Sequence, residues 1–142
     1  MSPVFPGEYF KTIHVHIMAQ ADAALRPFGL TCAQSDILRF LDLRGAEEST
    51  VQDIGAHFRL SHPTVVGIVR RLEEKGFVTT AVSERDRRCR VVRLTERFGE
   101  VRRAMEAIRR EIDAQACRGL SADELLELRR LLKCIHDNLT QP

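Results

Sequence analysis

The residues best suited to chemistry lie in two short runs. The first is Ser61-His62-Pro63-Thr64, with Gly67, Arg70 and Arg71 following at helical spacing. On a helix advancing 100° per residue, Pro63, Thr64, Gly67, Arg70, Arg71 and Glu74 fall on one side, and Val65, Ile68, Val69 and Leu72 on the other. Hydroxyl and guanidinium groups sharing a helix face are donors for phosphate oxygens or base edges. A glycine among them costs the helix about 1 kcal/mol relative to alanine, but it lets another surface come close. The second run is Glu84-Arg85-Asp86-Arg87-Arg88. Three guanidiniums sit within four residues, and Asp86 is expected to orient one of them through a bidentate pair. An arginine held that way suits the negative potential of a narrow minor groove.

Charge along the chain agrees with this. The formal total is only +2, but between Arg59 and Arg97 ten Arg or Lys face five Asp or Glu, a net +5 that leaves −3 for the remainder. A basic middle between acidic ends implies a polyanion-facing segment on a scaffold with another task. The expected partner is double-stranded DNA.

Other reactive side chains point to less. His14 and His16, two apart, face different sides of a helix, and His57, His62 and His136 belong to separate elements, so neither a metal nor a cofactor is expected. Cys32, Cys89, Cys117 and Cys134 form no C-x-x-C pair, which argues against a disulfide framework and a cysteine zinc cage. Cys32 follows Thr31 at a helix start, where the dipole lowers a thiol pKa. It is the first candidate for an oxidation-sensitive thiol, and Cys89, beside the arginine run, is the second. Cys117 and Cys134 are expected to pack. The chain contains no G-x-G-x-x-G, P-loop, H-E-x-x-H or G-x-S-x-G, and no enzyme is expected. No apolar run of about 18 residues is available to span a bilayer, and Met1 to Lys11 lacks a secretory signal pattern. A cytoplasmic protein without a membrane partner is the expectation. At 142 residues it fits one compact domain, or one domain plus an extension.

The elements that must position these groups follow from periodicity. Phe10, Ile13, Ile17, Ala21 and Ala24 predict a helix from Glu8 to Leu25, closed by Pro27 and Gly29. Thr31 caps a second helix that stops at Gly45, and Thr50 caps a short third with Val51, Ile54 and Phe58. In the fourth, Ser61 to Lys75, Ser61 is expected to accept from an early amide, Pro63 occupies the first turn, and Gly76 ends the run. Phe77–Val82 and Cys89–Leu94 read as a hairpin with a basic tip. Thr95 opens a long helix with Phe98, Val101, Met105, Ile108 and Ile112 in 3-4-3-4 spacing. After Gly119, the Ser121/Glu124 capping box starts another with Leu125, Leu128, Leu132, Ile135 and Leu139. Short helix, tight turn, polar-faced helix and basic hairpin together make the layout of a winged helix-turn-helix.

At this point the sequence resembles the MarR family of bacterial transcription regulators over nearly its whole length. The resemblance is carried by Leu60-Ser61-His62-Pro63-Thr64-Val65, by the run Val69-Arg70-Arg71-Leu72-Glu73-Glu74-Lys75-Gly76-Phe77-Val78, and by Glu84-Arg85-Asp86-Arg87-Arg88 with Leu94-Thr95. Ser83 departs from it, since many members carry an acid there. The resemblance implies a mainly α fold with a small β-hairpin (α+β): a winged helix-turn-helix whose N- and C-terminal helices form an intertwined dimer. Residues 1–30 and 96–142 would dimerise, and residues 31–95 would bind DNA. It implies Arg88 as the minor-groove arginine with Asp86 as its partner, and a homodimeric repressor on a pseudo-palindromic operator. It also implies a cleft for a small phenolic or other aromatic acid, for which Tyr9, Ile13, His16, Asp36, Arg39 and Phe40 are candidate lining residues. Zinc-sensing members carry paired histidines in the helix after the hairpin, and Thr95 to Arg118 has none. The alternatives are a thiol-based oxidation sensor of the same fold, acting through Cys32 or Cys89, and a constitutive DNA-binding module.

Overall fold

The computed structural model describes residues 6–141; Met1 to Phe5 of the expected 1–30 segment, and Pro142 at the other end, lie outside the described residues. The order is α1 (Pro6–Leu25), a 3-10 turn (Arg26–Phe28), α2 (Cys32–Arg44), α3 (Val51–Phe58), α4 (His62–Glu74), β1 (Val78–Val82), β2 (Arg90–Leu94), α5 (Phe98–Ala116) and α6 (Ala122–Thr140). Two compact units divide between Ile108 and Arg109, within α5.

Local sequence explains most of the boundaries. Thr31, Thr50 and Ser121 each accept from the amide three residues on, while Gln34, Asp53 and Glu124 reach back to the cap amide. Three capping boxes thus fix three helix starts, each cap worth about 1 kcal/mol. After α4, Gly76 takes φ +79°, which lets the chain reverse directly into β1. The strands are antiparallel, with Val78 opposite Leu94 and Val82 opposite Arg90, and a single bridge from Thr50 to Val91 attaches the start of α3.

Four expected starts are corrected. Helix α1 begins at Pro6 rather than Glu8, and the strands begin one residue later than expected, at Val78 and Arg90. Thr95 does not open α5, which starts at Phe98. Its hydroxyl instead donates to the Gly76 carbonyl at 2.6 Å and its amide to the Phe77 carbonyl at 3.0 Å, so the residue ties the end of β2 to the turn after α4. Ser61 is the N-cap of α4, yet its hydroxyl makes no cap bond and pairs with the Thr64 hydroxyl at 2.8 Å.

In the first unit Ile37 and Leu38 of α2, Ile54 of α3, Val65 and Leu72 of α4, and Phe77 with Val78 at the hairpin base are all fully buried. Burying such a side chain contributes about 1.5–3 kcal/mol, so this cluster fixes α4 and the hairpin against α2 and α3. In the second unit no residue of α6 is buried.

Candidate nucleic-acid interface

The buried stripe of α4, Val65, Val69 and Leu72, turns the opposite face outward. Ser61, His62, Pro63, Thr64, Arg70 and Arg71 are exposed, and a side-chain carbon at Gly67 would meet nothing within 4 Å. The sequence places these groups together, and the structure leaves them facing open space. Arg70 Nε lies 3.4 Å from Glu74 Oε1 one turn later, an exposed pair of small energetic consequence that leaves the guanidinium free to exchange partners.

Arg85, Asp86, Arg87 and Arg88 are exposed at the hairpin tip, and the Arg88 side chain is 94% accessible. The expected bidentate pair is absent: Arg88 Nε is 3.9 Å from Asp86 Oδ1. That oxygen accepts from the Arg88 amide at 3.0 Å, so Asp86 shapes the backbone of the tip and leaves the guanidinium extended. Ser83 is 3% exposed, and its hydroxyl oxygen lies 3.2 and 3.3 Å from the amides of Arg85 and Asp86, which donate to it. A neutral acceptor thus closes the turn.

Several contacts not anticipated from the sequence fasten the hairpin to α4 and to the connector before α3. Glu73 accepts from the Thr80 amide at 3.2 Å and from its hydroxyl at 3.1 Å. Arg90 donates to the same hydroxyl from the facing strand at 3.0 Å. Arg97 donates to the Lys75 carbonyl and its guanidinium stacks 4.8 Å from the Phe77 ring centroid. The amide of Val92 donates to the Ser49 carbonyl at 2.8 Å, and the Ser83 hydroxyl reaches Glu48 at 3.4 Å. Their only signal in the sequence was polarity, because each partner comes from another element. The result is one rigid body that presents a donor-bearing helix and a three-arginine tip together.

Residues 28–88, which span α2, α3, α4, β1 and the arginine tip, match the profile of the MarR family. The chain is 28% identical over 135 residues to the HTH-type transcriptional repressor IacR of Pseudomonas putida, covering 95% of this chain and 80% of that one. Among solved structures, the MepR–DNA complex of S. aureus shares 23% identity with a TM-score of 0.78, covering 99% of this chain and 100% of that chain. Wild-type apo MarR from E. coli shares 20% with a TM-score of 0.78, covering 95% and 98%. This chain shares its winged-helix fold with both solved structures.

The six expected effector residues separate in the structure. Asp36, Arg39 and Phe40 line a cleft of about 370 Å³ between α2 and α3, together with Leu43, Arg44, His57 and Phe58. Tyr9, Ile13 and His16 are exposed on α1 and do not line it. Three rings cluster on its wall: Phe40 to His57 at 4.5 Å, His57 to Phe58 at 4.7 Å and Phe40 to Phe58 at 5.7 Å between centroids. Burial pushes the Asp36 carboxyl above its ordinary pKa, with Arg39 opposing.

The expectation of a low-pKa thiol at Cys32 is overturned. Cys32 occupies the first position of α2, but its Sγ donates to Asp22 Oδ1 at 2.7 Å. Partial burial, that hydrogen bond and the charges of Asp22 and Asp36 push the thiol up to about 11, outweighing the helix dipole. Cys89 is also raised, by desolvation and then by Asp86, whose carboxylate lies 3.6 Å from Sγ. Neither thiol is poised as a thiolate at neutral pH.

Proposed function

We propose that this chain is a sequence-specific repressor that binds double-stranded DNA as a homodimer on a pseudo-palindromic operator, with its affinity set by a small aromatic acid. In this reading residues 31–95 read DNA, and the helices of 1–30 and 96–142 dimerise. The observation that carries it is the fastening of the α4 donor face and the Arg85–Arg88 tip to one core. A helix in the major groove reads base edges while the arginine tip reaches the adjacent minor groove. The likeness of fold to MepR, solved in complex with DNA, supports DNA as the partner here. Exposed Leu125, Leu128 and Leu132, one seam of α6, support a second copy as their cover.

The α2/α3 cleft supports the ligand reading. Phe40, His57 and Phe58 offer ring faces, and Arg39 offers a guanidinium for a carboxylate. The raised thiols remove the support for the oxidation-sensing alternative. A binding titration tests the proposal, with the chain's own upstream intergenic duplex against a scrambled duplex at two salt concentrations. Tight binding to the native duplex alone, with a complex mass of two chains per duplex, is expected, and benzoate-type acids should weaken it. Equal, salt-sensitive binding to both duplexes would leave only nonspecific attraction and sink the proposal.

A further inference from the structure

One exposed group on α4 is of a different kind from its neighbours. Val66, the fifth residue of the helix, is 43% exposed and lies beside the open space at Gly67. One turn away on its side of the helix the exposed groups His62 and Arg70 are polar, and Pro63 is the other apolar one. A β-branched side chain is a poorer helix former than alanine and holds almost one χ1 rotamer in a helix. Val66 therefore presents two rigid methyl groups on a surface that otherwise offers hydrogen bonds. Base edges in the major groove carry one apolar group, the C5-methyl of thymine. Residues in the N-terminal half of a reading helix are the ones that meet base edges.

We infer that Val66 is a specificity-determining residue that packs on a thymine methyl in each half-site. The inference rests on the DNA-reading function proposed above and adds a base identity to it. Neighbouring Gly67 supplies the clearance, because a side chain there would hold the helix away from the base. Arg70 and Arg71 then supply the polar contacts that flank the methyl.

The test starts from the duplex that the full-length protein selects from a random pool. Each thymine is replaced in turn by deoxyuridine, which removes the methyl and keeps every hydrogen-bonding atom. At one thymine per half-site, wild-type affinity should fall about fourfold, the equivalent of one buried methyl. With Val66→Ala the penalty at that position should vanish, while deoxyuridine at other positions behaves as in wild type. Val66→Thr, which keeps the branched shape and one methyl, should retain part of the penalty and guards against an alanine variant that folds poorly. If a sequence is selected but no thymine is sensitive, or the penalty is the same in wild type and Val66→Ala, the inference is wrong although DNA reading stands. If no sequence is selected, the DNA-reading proposal falls with it.

Discussion

The α2-to-hairpin part of this chain closes on itself and α6 does not. Leu38, Ile54, Val65, Leu72 and Phe77 have no accessible surface, whereas on α6 Leu128 retains 36%, Leu132 45% and Leu126 65%. Both regions have strong apolar periodicity, so pattern alone would rate them equally well packed. The difference is that the apolar faces of α2, α3, α4 and the hairpin meet one another within the chain. The 3-4-3-4 seam of α6 is left facing solvent, and an apolar seam of that spacing is stable when another helix covers it. One region is a packed body, and the other leaves an apolar seam exposed, the face proposed above to meet a second copy.

Introducing a charge into the open seam should give the largest effect. Leu128→Asp is expected to halve the mass in light scattering while leaving the first unit folded. Loss of the second reading head should then weaken operator binding by about 10²–10⁴-fold. A variant of unchanged dimer mass would show that the seam is covered in some other way. In the closed region the matching change is Leu72→Ala, which should cost about 2–5 kcal/mol in denaturant unfolding because α4 and the hairpin base collapse around that side chain.

Glu73→Ala comes next. It removes the acceptor shared by the Thr80 amide and hydroxyl, from an exposed position, so melting should change little. The loosened wing should lose about 1.5–3 kcal/mol of operator affinity, the range for hydrogen bonds to a charged group. Equal losses of stability and affinity would instead mark Glu73 as a folding residue. Arg88→Ala should weaken all duplexes alike and reduce the salt slope of log K by about one.

The smallest expected effect is chemical. With its thiol near 11, Cys32 should alkylate slowly at neutral pH, and its rate should rise about tenfold per pH unit from 7 to 9 without levelling. Asp22→Asn removes a hydrogen-bonding carboxylate that favours the neutral thiol, so labelling should become faster. A plateau near pH 8.5, read residue by residue by mass spectrometry, would contradict the raised thiol.

What the sequence made legible follows the distance over which each interaction acts. The Thr31, Thr50 and Ser121 caps were legible because donor and acceptor are three residues apart. The α4 face and arginine tip were legible from spacing and charge. Thr95 was misread as a helix cap because its acceptor, the Gly76 carbonyl, lies nineteen residues away. Ser83 reaches Glu48 across thirty-five positions, and Glu73 belongs to the wing as much as to its helix. Cys32 was misjudged for the same reason: the helix start is visible locally, but Asp22 arrives from α1 and reverses the electrostatics. Asp86 was placed correctly beside Arg88, but its carboxylate binds the amide rather than the guanidinium.

Hydroxyl-radical footprinting of the full-length chain on its own upstream duplex tests the central claim most directly. Two protected patches, centred about one helical turn apart and related by symmetry, are expected from two copies of the α4–wing body. A single patch, or uniform protection along the duplex, would contradict a symmetric dimer reading two half-sites.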